Sequence, residues 1–150
     1  MISMLMAAAL ATEDCVAIGD SLAVGVATAI NRQVVGTSCR IAARRGEPAS
    51  RIRRTMRPVL ADVAIVSAGA NDAASPTLTQ DLQGIRSMIR ARQVIWILPK
   101  DRRAAAAARL ACLQAGDVGV DLLRYASDDG IHPRDYRPVS RQAFRATTCG

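Results

Sequence analysis

Aromatic residues are nearly absent, at 3% of 150 residues, so an apolar core has to be assembled from the Val, Ile, Leu, Met and Ala that dominate a 50% hydrophobic composition. Such a core suits helices packed closely on a sheet. The same scarcity removes the stacking platform that single-stranded nucleic acid requires. Formal net charge is +7 with a single lysine, Lys100, but the arginines are spread along the whole chain, so no nucleic-acid partner is expected. The charge reads either as a solvated basic surface or as a means of holding anionic cell-surface polymers. No Cys-x-x-Cys spacing occurs among Cys15, Cys39, Cys112 and Cys149, which argues against a zinc knuckle or a thioredoxin-like motif. No Gly-x-Gly-x-x-Gly or Walker-type loop is present, which argues against a nucleotide-binding domain. No apolar run reaches the roughly 20 residues of a membrane span.

There is also no internal repeat and no low-complexity linker, and a chain of this length is the size of one domain. Two readings of the first eleven residues stay open. Ile2 to Leu10 are apolar and Ala9-Leu10-Ala11 has the small-residue form of a signal-peptidase site, although no Lys or Arg precedes them. Residues 1–11 are therefore either a cleaved signal, which would make the protein periplasmic or secreted, or an apolar segment packed on a domain of residues 12–150. Cys15 and Cys39 fall in the first two expected strands. There they either pair, as exported proteins allow, or stay buried as thiols.

What is present is an alternation of strand and helix. Cys15 to Ile18 is a short apolar run ended by Gly19, and a helix is expected from Leu22 to Ile30. A second strand follows over Thr37 to Ala42. Ile52, Met56 and Leu60 recur every four residues among arginines, which predicts an amphipathic helix ended or bent by Pro58. Val63 to Ser67 reads as a buried strand. Ser75-Pro76 starts a helix whose apolar face is Leu78, Leu82, Ile85 and Ile89. Val94 to Leu98 is the most hydrophobic strand, Arg102 to Ala115 a helix, Val118 to Leu122 a weaker fifth strand, and Arg134 to Arg145 a last helix delayed or bent by Pro138. This order predicts an α/β fold with a parallel sheet covered by helices on both faces.

In such sheets ligands bind beyond the carboxyl ends of the strands. The segments that follow the strands here are Gly19-Asp20-Ser21-Leu22, a loop containing Gly46, Gly69-Ala70-Asn71-Asp72, and Asp129-Gly130-Ile131-His132-Pro133. A serine hydroxyl is a weak nucleophile until a base takes its proton, and His132 is the only histidine in the chain. Asp129, three residues earlier, can accept from the other imidazole nitrogen and fix the tautomer; Asp128 is a less well spaced competitor. The backbone N–H groups of Ser21 and Gly46 and the side-chain amide of Asn71 could face a developing oxyanion. Asp20 and Asp72 read as turn-bracing carboxylates. Arg44 and Arg45 would stand near the mouth of the cleft.

These four segments, in this order, resemble the Ser, Gly, Asn and His signatures of the SGNH (GDSL) hydrolases, and they span nearly the whole chain. The resemblance implies a three-layer α/β/α sandwich of flavodoxin-like type with about five strands. It further implies Ser21 as nucleophile, Asp129 and His132 as its triad partners, and Gly46 and Asn71 as oxyanion donors, with no cofactor and no metal. Arg44-Arg45-Gly46-Glu47-Pro48 is more charged than the corresponding loop of the family, and Asp135 stands where a glycine is frequent, ahead of a family-like Tyr136. The chain is short for the family, which leaves an open cleft suited to short acyl groups. The expected activity is a serine-dependent carboxylic-ester hydrolase of bacterial or phage origin, acting on a small ester or an acylated glycan and removing O-acetyl groups from cell-envelope polysaccharide. The competing expectation is a catalytically silent glycan-binding or structural module of an envelope or virion with the same fold.

Overall fold

A computed structural model describes residues 12–33 and 36–150. The two readings of residues 1–11 therefore lie outside the described residues. A six-stranded sheet has the order β2-β1-β3-β4-β5-β6. Its strands are β1 (Glu13–Gly19), β2 (Cys39–Ala43), β3 (Val59–Ser67), β4 (Ile89–Leu98), β5 (Val118–Asp121) and β6 (Thr147–Thr148). The first five are parallel, and β6 adds two residues antiparallel to β5. The helices are α1 (Ser21–Gln33), α2 (Ala49–Thr55), α3 (Leu78–Ser87), α4 (Arg102–Ala115) and α5 (Tyr136–Ala143).

Alternation along the strands divides the core into two layers. Val16, Ile18, Ala64, Val66, Val94, Trp96 and Leu98 point to the face covered by α2, α3 and α4. Cys15, Ala17, Ile65, Ile95, Ile97 and Val120 point to the face covered by α1 and α5. Both faces are buried, so the central strands carry nearly unbroken apolar runs, and the three-layer α/β/α sandwich is realised. Trp96, the one tryptophan, is fully buried, and its indole N–H donates to Asp117 (3.0 Å), whose carboxylate also receives Arg86 at 2.6 and 3.0 Å.

All four cysteines pair. Cys15 and Cys39 are register partners on β1 and β2 and form one disulfide, which ties down the edge strand. Cys112 of α4 bonds to Cys149, just beyond β6, and holds the C-terminal segment against the sheet. Closing loops of this length stabilises a fold by about 3–4 kcal/mol each, through restriction of the unfolded chain.

Several element bounds differ from the sequence reading, each for a physical reason. Leu60 and Ile89 do not continue the helices before them. They begin extended runs in β3 and β4, since α2 stops at Thr55 with Met56 already extended and α3 stops at Ser87. Pro58 has no N–H to donate and steers Arg57 away from helical geometry. Helix α3 begins at Leu78 rather than at Pro76, with the hydroxyl of Ser75 accepting from the Thr77 N–H (3.3 Å) in the turn before it. The last helix starts at Tyr136, capped by the Asp135 carboxylate, which accepts from the Arg137 N–H at 2.8 Å. The strand β6 was not foreseen, and Leu122 belongs to a single 3₁₀ turn after β5.

Candidate active site

Two close approaches bring the strand ends together. Gly19 has φ of 132°, and a Cβ there would overlap the Ser67 carbonyl, so only glycine lets the chain leave β1 while the Asp20 N–H donates to Ser67 O (3.0 Å). Gly25 of α1 lies against the Tyr136 ring, leaving no room for a Cβ, and this contact docks α5 and the loop before it onto α1. That loop is closed by the Arg134 N–H donating to Ala126 O (2.9 Å).

The result is a continuous hydrogen-bonded chain across 111 residues of sequence. Ser21, the first residue of α1, has its Oγ 2.8 Å from His132 Nε2, and His132 Nδ1 is 2.6 Å from Asp129 Oδ2. A carboxylate can only accept, so the Nδ1–H donates to Asp129 and Nε2 is left as acceptor for the serine hydroxyl. The other carboxylate oxygen of Asp129 accepts from the N–H groups of Ile131 (2.8 Å) and His132 (2.7 Å), and from the Ser127 hydroxyl (3.1 Å). The His132 hydrogen bond first, and then these backbone donors, hold the Asp129 carboxyl well below the usual carboxylate range. Asp128 turns away and pairs with Arg134 at 2.6 Å. The pair is open to solvent: side chains of His132 and Asp129 are 38% and 52% exposed.

Asn71, in the loop after β3, donates its amide to the Glu47 carbonyl (3.2 Å), and so joins the loop after β2 to the loop after β3. An amide has two N–H groups, so one is left for a ligand. Gly46 occupies a turn from Arg44 to Glu47 with φ of 73°, and the Arg44 N–H donates to Gly19 O (3.0 Å), seating this turn beside the end of β1. Asp72 departs from its expected part. Neither of its carboxylate oxygens meets a hydrogen-bond partner among the described residues, and the loop is braced instead by its backbone, N–H to Gly69 O and C=O from the Ser75 N–H.

Three polar groups lie buried beside the site, and Asp20 braces its turn as expected. Asp20 is fully buried and caps α1, its Oδ1 accepting from the Leu22 N–H (3.0 Å), while Oδ2 and the neighbouring Ser67 hydroxyl lack hydrogen-bond partners among the described residues. Burial pushes its carboxyl up to about 6, against the Leu22 N–H, the adjacent Ser67 hydroxyl and further backbone N–H groups, which favour the anion. The Tyr136 hydroxyl is likewise buried without a partner, and burial, with Asp20 adding to it, pushes the phenol up to about 12.

A raised carboxyl makes stability depend on pH in a definite direction. Below about pH 4 Asp20 is neutral whether the chain is folded or not. Between there and pH 6 only the folded form keeps the proton, so stability falls as pH rises, and the loss reaches about 3 kcal/mol above pH 6. Asp20→Asn keeps the Leu22 cap, carries no charge and offers an N–H to the unpartnered Ser67 oxygen. Thermal melts should show the variant ahead of the wild type by several degrees at pH 8 and by much less at pH 4. An equal difference at both values would remove the buried anion from the account.

No protein-family model matches the sequence, and no curated protein matches it at a significant level. Solved structures do match. Among them is the C-terminal catalytic domain of peptidoglycan O-acetyltransferase A (OatA) from Streptococcus pneumoniae, solved with a methylsulfonyl adduct; it aligns with a TM-score of 0.59 at 16% identity, covering 89% of this chain and 93% of that one. The chain has the fold of that catalytic domain. The three-layer α/β/α sandwich expected from the four segments is thus the architecture observed, and an identity this low carries the likeness no further than the fold. Among the described residues no helix is long and apolar enough to cross a membrane, and no group of His, Cys, Asp and Glu is arranged to hold a metal ion.

Proposed function

We propose that the protein is a serine-dependent carboxylic-ester hydrolase of the SGNH family, with Ser21 as nucleophile, His132 as general base and Asp129 as the group that orients it. The observation that carries this reading is the unbroken chain from Ser21 through His132 to Asp129 at 2.8 and 2.6 Å. Attack of Oγ on an acyl carbonyl transfers the hydroxyl proton to Nε2, and Asp129 stabilises the imidazolium. The N–H groups of Ser21 and Gly46 and the free N–H of the Asn71 amide receive the oxyanion, aided by the positive end of α1. Collapse of the tetrahedral intermediate expels the alcohol, which takes the proton from His132, and a water activated by the same imidazole then frees the acid.

The preferred substrate is an O-acetylated cell-envelope polysaccharide. An open rim with no described lid admits a polymer, and two disulfides suit a periplasmic or secreted protein. A second reading is favoured by the fold match to an O-acetyltransferase: a glycan hydroxyl, in place of water, discharges the acyl-enzyme. Mass spectrometry tests both. Phenylmethylsulfonyl fluoride should add its sulfonyl group to the peptide containing Ser21 and to no other, with release of fluoride, and p-nitrophenyl acetate incubated with a glycan acceptor should yield free acetate for a hydrolase or acetylated glycan for a transferase. A chain that neither labels at Ser21 nor releases p-nitrophenol would be a silent binding module.

A further inference from the structure

A groove of about 570 Å³ runs beside the site at the β2 end of the sheet, between β2 and α2. It opens at Gly19, Arg44 and Glu47, next to the Ser21 turn, and ends at Met56, Arg57 and Pro58. We propose that this groove binds a polyanionic glycan, one bearing carboxylate or phosphate along its length, and delivers an acylated residue of it to Ser21. The inference deepens the ester-hydrolase reading and rests on it for the second step only.

Charge is the first argument. Arg40, Arg44, Arg51 and Arg57 line the groove, with Glu47 as the one acidic lining residue among the described residues. Arg40 is matched by Glu13 and Arg51 by Glu47, whereas Arg44 and Arg57, one at each end, are exposed and have no acidic partner among the described residues. The two unmatched arginines stand at opposite ends of the groove, one after the last residue of β2 and the other ahead of the first residue of β3. An isolated anion does not meet both; a charged polymer does.

Shape and composition supply the rest. β2 is the terminal strand of the sheet, so the outer edge of its backbone offers N–H and C=O groups to sugar hydroxyls. Among the described residues no aromatic ring lines the groove, so neither bases nor neutral sugar faces have a surface on which to stack. Affinity must come from guanidinium pairing, and the polymer must carry the charge. The groove also leads to the chemistry: the Arg44 N–H donates to Gly19 O, and the Glu47 carbonyl at its mouth is the acceptor for the Asn71 amide.

The test is binding rather than turnover, so that it can fail independently of the nucleophile assignment. Whole Ser21→Ala protein is titrated at low salt with polygalacturonate, poly(glycerol phosphate), neutral dextran and an oligothymidylate, with and without the further pair Arg44→Gln and Arg57→Gln. A control carries Arg124→Gln and Arg145→Gln, which remove the same charge at exposed positions near the opposite edge of the sheet. One of the two charged polymers should bind, with affinity falling steeply as salt is raised, and the groove pair should weaken it about tenfold while the control changes it little. The better of the two names the anion as carboxylate or phosphate. Equal binding of dextran, an equal loss in the control, an unchanged groove variant, or tighter binding of the oligothymidylate than of either glycan would each overturn the proposal.

Discussion

Ser21→Ala and His132→Ala are each expected to lower kcat for p-nitrophenyl acetate by at least about 10³-fold, and the double variant to be little worse than either alone. The two side chains act on one proton, so removing either ends its transfer, and removing the second has nothing left to take away. What remains should be the part contributed by the proposed oxyanion donors that neither substitution removes, the backbone N–H groups of residues 21 and 46 and the Asn71 amide. Loss of the fold is not an alternative explanation at position 21. Asp20 rather than Ser21 caps α1, and among the described residues the hydroxyl of Ser21 hydrogen-bonds to His132 alone, so circular dichroism and melting temperature should stay close to wild type. Single and double variants that lose activity multiplicatively would mean that the 2.8 Å contact is not the working one.

The strand-helix order could be read because each central strand is apolar on both sides and each helix has one apolar stripe, and these are local properties. Reading failed where two elements share a spacing. Met56 and Leu60, and Ile85 and Ile89, stand four residues apart across a break, so a helical stripe runs on in sequence while the backbone has already become extended. Residues at the start of β4 also alternate polar with apolar, as Arg90 and Arg92 do in a region of the sheet that reaches solvent. The two residues of β6 carry no pattern of their own; they pair with β5 beside the Cys112–Cys149 bridge, Val118 with Thr148 and Gly119 with Thr147, a contact between segments distant in sequence. Ser21, Asp129 and His132, which the structure brings together, could be picked out since each is a reactive type in a segment that follows a strand. The burial of Asp20 and of the Tyr136 hydroxyl could not, because a polar group's burial depends on what a distant segment lays over it. Asp72 shows the converse: a carboxylate in a loop invites a hydrogen-bonding role, and here the backbone amides already satisfy the turn.

Asp129→Asn should cost about as much as losing the nucleophile, on the order of 10⁴ in kcat with KM little changed, though it alters one atom. The geometry dictates the reason. One carboxylate oxygen of Asp129 accepts from two backbone N–H groups, those of Ile131 and His132, so an amide placed there must turn its own oxygen toward them. Its NH₂ then occupies the place of the oxygen that faces His132 Nδ1 at 2.6 Å. Nδ1 can answer an N–H only as an acceptor, which shifts the ring proton to Nε2, and an imidazole protonated at Nε2 donates to Ser21 where it should accept from it. The base is thereby lost while the fold, the cleft and the oxyanion donors stay as they were. In the wild type the His132 hydrogen bond keeps Asp129 ionised well below the pH at which a free carboxylate takes up a proton, so protonation of Asp129 does not shape the rate in the mildly acidic range. Rates of sulfonyl fluoride labelling at Ser21 give a second reading of the same effect, free of the deacylation step. A variant that labels and turns over within tenfold of wild type would show that Asp129 holds the loop and does not set the tautomer.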